Sequence, residues 1–239
     1  RDDLVSEEPA LGPMAACAVR TNDWATYVDP KAYVMGLMTH LREQGVAFQD
    51  CNVGTLDGDT VTGTDGRRYP FEHLVIAAGA WSHRLTEQLG DWCPLETERG
   101  YNTTIPSPGI SLNRMLTFAE DHFVATPMSM GLRIGGAVEF AGLKTPPNFN
   151  RSKALLELAA KYLPELNVDG GTEWMGHRPS TPDSLPVIDR ASRYRNVFYA
   201  FGHGHLGLTG SATTGRLIAA LVRGEEASLD LTPFRIGRF

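Results

Sequence analysis

The feature that most constrains the fold is a short apolar strand followed by a glycine-rich turn and a helix near the end of the chain. Residues 196–201 are predicted as a buried strand, and residues 202–207 have the pattern GxGxxG. A helix is predicted from about 208 to 223, with Gly224 ending it. A second unit of this kind lies upstream, where the apolar run 74–78 predicts a strand buried on both faces and a helix follows to about residue 89. These units indicate α/β architecture.

The segments around these units predict a mixed protein. Asp29 and Pro30 are typical of a helix start, and Gly45 of its end. A strand is expected at 46–53, followed by a small meander with turns at Asp57-Gly58 and Asp65-Gly66. The middle of the chain, from about 94 to 174, predicts an inserted α+β unit. Strands are expected in this unit at 114–118, 122–126 and 132–140, and a single helix at 152–163.

Composition excludes several classes of protein. The chain has 239 residues with a formal net charge of −6, which argues against a non-specific nucleic-acid binder. A hydrophobic content of 42% excludes global disorder. Its three cysteines, an odd number without a CxxC pair, indicate a reducing compartment rather than a disulfide framework. No apolar run approaches the length of about 20 residues that a membrane helix needs. The first residue is Arg1 rather than Met, so we expect a piece of a longer chain.

Three interpretations of the turn at 202–207 remain open. A dinucleotide-binding loop is disfavoured, because no second buried strand ending in an acidic residue follows the helix. The glycines can serve tight packing at a helix start. In the favoured interpretation, the turn offers backbone N–H groups and the positive end of the helix dipole to an electron-rich part of a cofactor. Glycines would let a flat ring approach the backbone.

Several motifs, in the order in which the family has them, resemble the FAD-dependent D-amino acid oxidase family. Residues 174–183, WMGHRPSTPD, are similar to the family's W-x-G-x-R-P-x-T-P-D motif. The turn at 202–209 continues the pattern, and residues 75–82 resemble the central flavin-binding segment. Residues 99–101 and 134–140 resemble the bacterial D-amino acid dehydrogenase branch. The resemblance covers the chain from about residue 27 onward.

This resemblance implies a fold and a domain division. The expected fold class is α/β and α+β, an incomplete FAD/NAD(P)-binding domain with an inserted antiparallel-sheet domain. Residues 1–94 and 175–239 are assigned to the partial FAD-binding domain, and residues 95–174 to the substrate-binding domain. The family's opening GxGxxG unit is absent from these 239 residues. We therefore expect a C-terminal portion of such an enzyme, inactive by itself and binding FAD weakly or not at all.

The resemblance also assigns roles to individual residues. Arg178 is expected to hold the substrate carboxylate, because a guanidinium can donate two parallel hydrogen bonds to it. The alternative is that Arg178 pairs with Asp183 or Asp189 and braces the loop. His205 is expected to point toward substrate. Tyr101 is a third catalytic candidate, with a core position as its alternative.

The expected cofactor contacts fall into two segments and one isolated residue. Val53 is expected near adenine, with a core position as the alternative. The two segments contribute Ala78, Gly79, Ala80, Trp81, Gly202, His203, Gly204, Leu206, Gly207, Leu208 and Thr209. A zinc site at His203 and His205 with His177 and Asp183 is disfavoured, since no tight ligand quartet is visible. No metal is expected.

The implied activity is oxidative deamination of a D-amino acid to a keto acid and ammonia, with FAD as cofactor. Glycine or sarcosine oxidation, an imino-acid dehydrogenase and a non-catalytic interaction subunit are the alternatives. The expected partners are a small amino-acid or secondary-amine substrate and either oxygen or a quinone, with no nucleic acid. The oligomeric state stays open. A cytoplasmic location is expected, with peripheral attachment to the inner face of the membrane as the alternative.

Overall fold

The structure, a computed structural model, describes residues 2–239. It contains five α-helices in this range: α1 Asp2–Glu7, α2 Pro30–Glu43, α3 Ser82–Gln88, α4 Asn150–Tyr162 and α5 Gly207–Arg223. Its strands are β1 Val53–Leu56, β2 Thr60–Gly63, β3 Arg68–Pro70, β4 Leu74–Ile76, β5 Glu96–Ile105, β6 Leu116–Phe118, β7 Phe123–Met128, β8 Gly131–Phe140, β9 Thr172–Ser180, β10 Val187–Arg190 and β11 Val197–Phe201. Short 3₁₀ helices cover Gly79–Trp81, Thr232–Phe234 and Ile236–Arg238. The predicted mixture of α/β and α+β structure is confirmed.

The chain forms two compact units. The first comprises residues 1–48, 100–139 and 146–176, and the second comprises 49–99, 140–145 and 177–239. The sequence-based division places its boundaries at 94/95 and 174/175 and assigns residues 1–48 to the FAD portion. The compact units change at 99/100 and 176/177 instead, and they place 1–48 with the antiparallel sheet. The functional assignment of the domains stays a prediction.

The first unit is built around an antiparallel sheet. The strand order in this sheet is β6-β7-β8-β5-β9, and helix α4 contributes Leu155, Ala159 and Tyr162 to the same core. The predicted strands β6, β7 and β8 and the predicted helix α4 are confirmed. Strands β5 and β9 were not predicted, because their sequences are rich in polar and charged residues. In β5 the burial of the side chains nevertheless alternates over most of the strand, as the pleat requires.

Helix α2 illustrates the difference between local signals and packing. Asp29 Oδ1 accepts a hydrogen bond from the Ala32 N–H at 2.8 Å, so the predicted N-cap is confirmed. Gly45 follows the helix with φ of +86°, as the predicted stop requires. The apolar side of this helix, however, has no buried residue in the structure. Amphipathic spacing predicts a helix without saying what covers its apolar face.

The second unit contains two small sheets. The meander β1-β2-β3 is antiparallel, and its first turn is closed by Asp57 Oδ1, which accepts from the N–H groups of Asp59 and Thr60. The strand predicted at 46–53 is wrong, because β1 begins only at Val53. The other sheet has the order β10-β11-β4, with β11 antiparallel to β10 and parallel to β4. Helix α5 packs on this sheet through Leu217 and Ile218.

Strand β4 differs from its prediction in one respect. The run was expected to be buried on both faces, but Val75 is 40% exposed while its neighbour Ile76 is 3% exposed. The physical reason is that β4 is an edge strand with one covered face, so alternate side chains turn outward. Within residues 2–239, no helix is long and apolar enough to cross a membrane.

Candidate functional site

The parallel pairing of β4 with β11 brings two predicted cofactor segments to one edge of the sheet. Leu74 is in register with Val197, and Ile76 with Tyr199. Both strands therefore end at the same edge, where residues 77–81 and 202–206 leave the sheet. In open α/β sheets, ligands bind outside the carboxyl ends of the strands. The topology thus places the two segments where such a ligand would be expected.

The turn after β11 is tied to the end of β9. Gly202 and Gly204 have φ of +81° and +52°, values that favour glycine. The Gly204 N–H donates to the Pro179 carbonyl at 2.8 Å, and Ser180 forms an isolated bridge with His203. The WMGHRPSTPD motif and the GxGxxG turn, far apart in sequence, therefore form one local structure.

The start of α5 lacks a side-chain cap. Its N-cap residue is Leu206, an exposed residue whose side chain offers no hydrogen-bond acceptor. Polar N-caps usually satisfy the N–H groups of the first turn, and here none does. The first turn, which contains Gly207, Leu208 and Thr209, carries the partial positive charge of the helix dipole. This end of α5 is suited to an electron-rich group.

The segment after β4 forms a 3₁₀ turn. Gly79 has φ of +54°, Ala80 is buried, and Trp81 remains about half exposed. The His177 ring meets the Trp81 indole edge-on, with ring centroids 5.5 Å apart. Ala78 precedes the turn and is partly buried. A half-exposed indole beside a glycine-containing turn leaves room for a flat molecule.

Arg178 combines a buried charge with an unused donor. Its Nη1 is buried and has no hydrogen-bond partner. Burial lowers the pKa of Arg178, and the neighbouring Glu98 carboxylate raises it. A guanidinium stays protonated under such shifts, so an unsatisfied positive group is left inside the protein. Such a group favours an anionic ligand.

The bracing alternative for Arg178 finds its proposed partners occupied. Asp183 forms an ion pair with Arg238, whose Nε lies 2.7 Å from Asp183 Oδ2. This pairing holds the pKa of Asp183 at about 2. Asp189 accepts a hydrogen bond from the Ile236 N–H. The two acids therefore hold the C-terminal segment in place rather than Arg178.

His205 does not stand free at the site. Its Nε2 lies 2.9 Å from Glu98 Oε2, and the imidazole is more than half exposed. Glu98 lies on β5, the neighbour of β9 in the sheet, and it is also the charge that acts on Arg178. His205, Glu98 and Arg178 thus form one electrostatic group. The predicted substrate contact of His205 stays a prediction.

The other two histidines of the candidate site, His203 and His177, each contact a threonine hydroxyl. His203 Nε2 lies 3.0 Å from Thr214 Oγ1 on α5, and burial lowers its pKa. His177 Nδ1 lies 2.9 Å from Thr97 Oγ1, and burial together with the Arg99 charge lowers its pKa. Both rings therefore favour the neutral form. In the described part of the chain, no group of three or more His, Cys, Asp or Glu side chains could hold a metal ion.

The positions of Tyr101 and Val53 give little support to their predicted contacts with substrate and adenine. Tyr101 is buried in the first unit, where its hydroxyl donates to Glu139 Oε2 and accepts from the Asn148 N–H. These contacts support the core alternative rather than a role against substrate. Val53 is about two-fifths exposed at the start of β1, so it is not a core residue. Its contact with adenine stays a prediction.

Sequence reasoning missed several residues that shape the site. Glu98 carried no motif signal, although it pairs with His205 and acts on Arg178. Thr214 was read only as part of a helix, although it holds the His203 ring. Arg99 was part of a motif, but its structural task was not foreseen: its buried guanidinium donates to the carbonyls of Ala141 and Gly142. The contacts of Glu98 and Arg99 join residues distant in sequence, which local patterns cannot indicate.

Comparison with known proteins gives one consistent result. The profile of the family "FAD dependent oxidoreductase" (DAO) matches residues 1–221. A D-amino-acid oxidase of Bradyrhizobium diazoefficiens is 37% identical over 246 residues, covering 100% of this chain and 58% of the relative. A D-amino acid dehydrogenase of Paramagnetospirillum magneticum is 34% identical over 243 residues, covering 97% of this chain and 57% of the relative.

A solved structure supports the same assignment. The glycine oxidase of Geobacillus kaustophilus superposes with a TM-score of 0.68 and 26% identity, covering 80% of this chain and 52% of that protein. The chain spans little more than half the length of each of these three proteins. The family profile and both sequence relatives show that the chain belongs to the DAO family of FAD-dependent oxidoreductases.

Proposed function

We propose that the protein carrying this chain oxidises a D-amino acid to an imino acid, which water hydrolyses to a keto acid and ammonia. The single observation that carries this proposal is the buried, unpartnered Nη1 of Arg178. A buried donor without an acceptor costs about 1–3 kcal/mol, and more when it is charged. A substrate carboxylate would remove that cost and would itself be fixed in place by charge-assisted hydrogen bonds.

Two sequence relatives support a D-amino acid as the substrate class. Both the relative named D-amino-acid oxidase and the relative named D-amino acid dehydrogenase align with nearly the whole chain. An amino acid presents a carboxylate, which suits a site whose cation is Arg178. Arg178 holds the substrate carboxylate, and this contact orients the α-carbon.

The residues at the sheet edge fit a flavin. The uncapped first turn of α5 offers backbone N–H groups. Gly202 and Gly204 have positive φ, which favours glycine, so the turn has no side chains at those two positions. Residues 78–81 and 202–209 would hold the FAD ring system. When bound, FAD supplies the two-electron acceptor for the α-hydrogen of the substrate. The positive end of the α5 dipole would favour negative charge on a group held there.

The test uses the native protein that carries this chain, loaded with FAD. We expect D-alanine, a small D-amino acid used here as probe, to bleach the flavin absorbance and to yield keto acid and ammonia in equal amounts. L-alanine should react at least about tenfold more slowly. Peroxide formed in stoichiometric amount identifies oxygen as the acceptor, and dye reduction without peroxide identifies a quinone-type acceptor. Absence of turnover with a panel of D-amino acids would overturn the proposal.

A variant pair assigns the role of Arg178. Arg178→Ala should raise the KM for the amino acid at least about tenfold, because charge-assisted hydrogen bonds contribute about 1.5–3 kcal/mol. Arg178→Lys should fall between this variant and the wild type, since an ammonium keeps the charge without the planar fork. Arg195→Ala removes an exposed arginine of the same unit and serves as the matched control. An unchanged KM in Arg178→Ala would remove the assigned role.

A further inference from the structure

The first unit contains a cavity of about 480 Å³ that lies outside the site described above. Its walls come from β5, β8 and β9, from the start of α2 and from the turn between β7 and β8. The residues that matter for its chemistry are Lys31, Asn102, Thr104, Met130, Arg133 and Trp174. The lining contains two cationic side chains and no carboxylate. A cavity with this balance favours an anion.

Arg133 is held in position with most of its donors unused. Its Nε donates to Thr104 Oγ1 at 3.0 Å. No hydrogen bond or ion pair to its Nη1 or Nη2 is found from any other group in residues 2–239. The Thr104 contact fixes the plane of the guanidinium, and a planar guanidinium with two free terminal nitrogens matches the two oxygens of a carboxylate.

Lys31 is positioned by the start of α2. The Asp29 carboxylate accepts from the Ala32 N–H through Oδ1 and from the Ser129 hydroxyl through Oδ2. The Ser129 N–H also donates to the Val28 carbonyl at 2.9 Å. These contacts hold the first turn of α2 against the turn between β7 and β8. The second cation of the cavity therefore stands on an anchored backbone.

The remaining lining residues indicate a ligand that has a polar atom and an apolar body in addition to its charge. Asn102 Oδ1 is buried without a hydrogen-bond partner, so its amide group is available to a polar ligand atom whichever way the amide is turned. The Trp174 indole is 59% exposed, and Met130 lies at the same cavity. An exposed indole offers a flat apolar surface on which an unsaturated ring can stack. The thioether of Met130 adapts to irregular apolar shapes.

We propose that this cavity binds a small organic carboxylate with a flat apolar body. The carboxylate pairs with Arg133 and Lys31 and accepts a hydrogen bond from the Asn102 amide N–H, and the apolar body lies against Trp174. All the lining residues lie in the first unit, and Arg178 is not among them, so the proposed binding does not depend on Arg178. It is therefore independent of the oxidase activity proposed above, and either proposal can fail without the other.

The test is calorimetric titration of the 239-residue chain with phenylacetate, which has a carboxylate and a flat ring. The neutral analogue 2-phenylethanol keeps the ring and the chain length but lacks the charge. We expect phenylacetate to bind with a stoichiometry of one and the alcohol to bind about tenfold more weakly or not measurably, because charge-assisted contacts are lost. Equal binding of the two compounds, or no binding of either, would overturn the proposal.

Variants locate the binding event. Arg133→Gln and, separately, Lys31→Gln should weaken phenylacetate binding about tenfold and several-fold, respectively, since Lys31 is more exposed. Lys161→Gln, an exposed lysine of the same unit, should leave it unchanged. Circular dichroism and thermal unfolding verify that each variant is folded. If Arg178→Lys abolishes binding while both cavity variants retain it, the ligand occupies the Arg178 site and the proposed cavity site is rejected.

Discussion

His205 Nε2 lies 2.9 Å from Glu98 Oε2, and the same carboxylate is the negative charge that acts on Arg178. One acid therefore takes part in two interactions, a hydrogen-bonded contact with the exposed His205 imidazole and an electrostatic interaction with the partly buried Arg178 guanidinium. The second interaction has a functional consequence, because any substrate carboxylate that approaches Arg178 also approaches Glu98. Part of the attraction of the arginine is offset by this neighbour.

Replacing Glu98 with glutamine should strengthen carboxylate binding at Arg178. Glu98→Gln keeps the shape of the side chain but removes its charge, which in a partly exposed position is worth about 1 kcal/mol or less. We expect the KM for a D-amino acid to fall about two- to fivefold, since that energy corresponds to such a factor. Steady-state kinetics of the FAD-loaded native protein measure this change.

Glu87→Gln, an exposed acid of the same unit, is the control and should leave the KM unchanged. A raised KM in Glu98→Gln would mean that Glu98 helps to bind substrate, for example through its amine.

Gly202 is a position where a side chain should disrupt the turn. Its φ of +81° strains any L-residue, and an added Cβ would meet Thr181 Cγ2 at 3.1 Å. Gly202→Ala should lower the free energy of unfolding by about 1–3 kcal/mol, measured by urea denaturation. It should also weaken FAD binding, because residues 202–204 are displaced from the sheet edge.

Gly210 provides the matched control for this change. It lies inside α5, and an added Cβ there meets nothing within 4 Å. Gly210→Ala should stabilise the protein by about 0.5–1 kcal/mol, because alanine favours the helix more than glycine does. Equal effects of the two substitutions would contradict the strained conformation assigned to the turn.

The parts of the fold that the sequence predicts are those governed by local chemistry. The Asp29 cap, the Gly224 stop and the Asp57 turn each depend on a few neighbouring residues, and the structure contains all three. Strands β5 and β9 escaped prediction, since their polar residues give no apolar periodicity to detect. The exposure of Val75 escaped too, because an apolar run does not reveal that its strand lies at an edge.

The residues of the candidate site that lie in recognisable motifs could be predicted from the sequence, whereas those outside the motifs could not. Arg178 and residues 202–209 lie in motifs that resemble a known family, and the structure joins them through the Gly204 N–H and the Pro179 carbonyl. Glu98 acts through tertiary interactions with His205 and Arg178, and Thr214 through a side-chain contact with His203. Such contacts arise only after the chain has folded, so they leave no signature in one sequence. Tyr101 lies in a motif and is also buried with its hydroxyl on Glu139, so the motif alone does not decide between a core role and a substrate contact.

Two partly buried histidines predict a dependence of stability on pH. Burial lowers the pKa of His203, and burial with the Arg99 charge lowers that of His177. The unfolded chain then binds protons at higher pH than the folded chain does. The resulting stability is present above the ordinary histidine pKa of 6.5 and is lost as the pH falls through the lowered values. Urea denaturation between pH 8 and pH 5 should show a decreasing free energy of unfolding below about pH 6.5.

A histidine variant tests the origin of this slope. His203→Gln removes one of the two groups, so the decrease in stability at low pH should become shallower. His40→Gln, an exposed histidine on α2, should leave the slope unchanged. The same slope in all three proteins would show that the pH dependence arises elsewhere, for instance from carboxylates such as Asp183.

A buried tyrosine–aspartate pair gives the last prediction. The Tyr199 hydroxyl donates to Asp91 Oδ2 at 2.7 Å, and that oxygen also accepts from the Ser192 N–H at 3.0 Å. Burial and the nearby Asp91 carboxylate raise the pKa of Tyr199 well above its usual range, so the hydroxyl remains a donor. Tyr199→Phe should lower the free energy of unfolding by about 1.5–3 kcal/mol, because a charged acceptor loses one of its partners inside the core. Tyr194→Phe, whose ring packs against Gly58, is the control and should change stability by less than about 0.5 kcal/mol. Urea denaturation near pH 7 compares the two variants, and equal stabilities would show that water replaces the missing donor at Asp91.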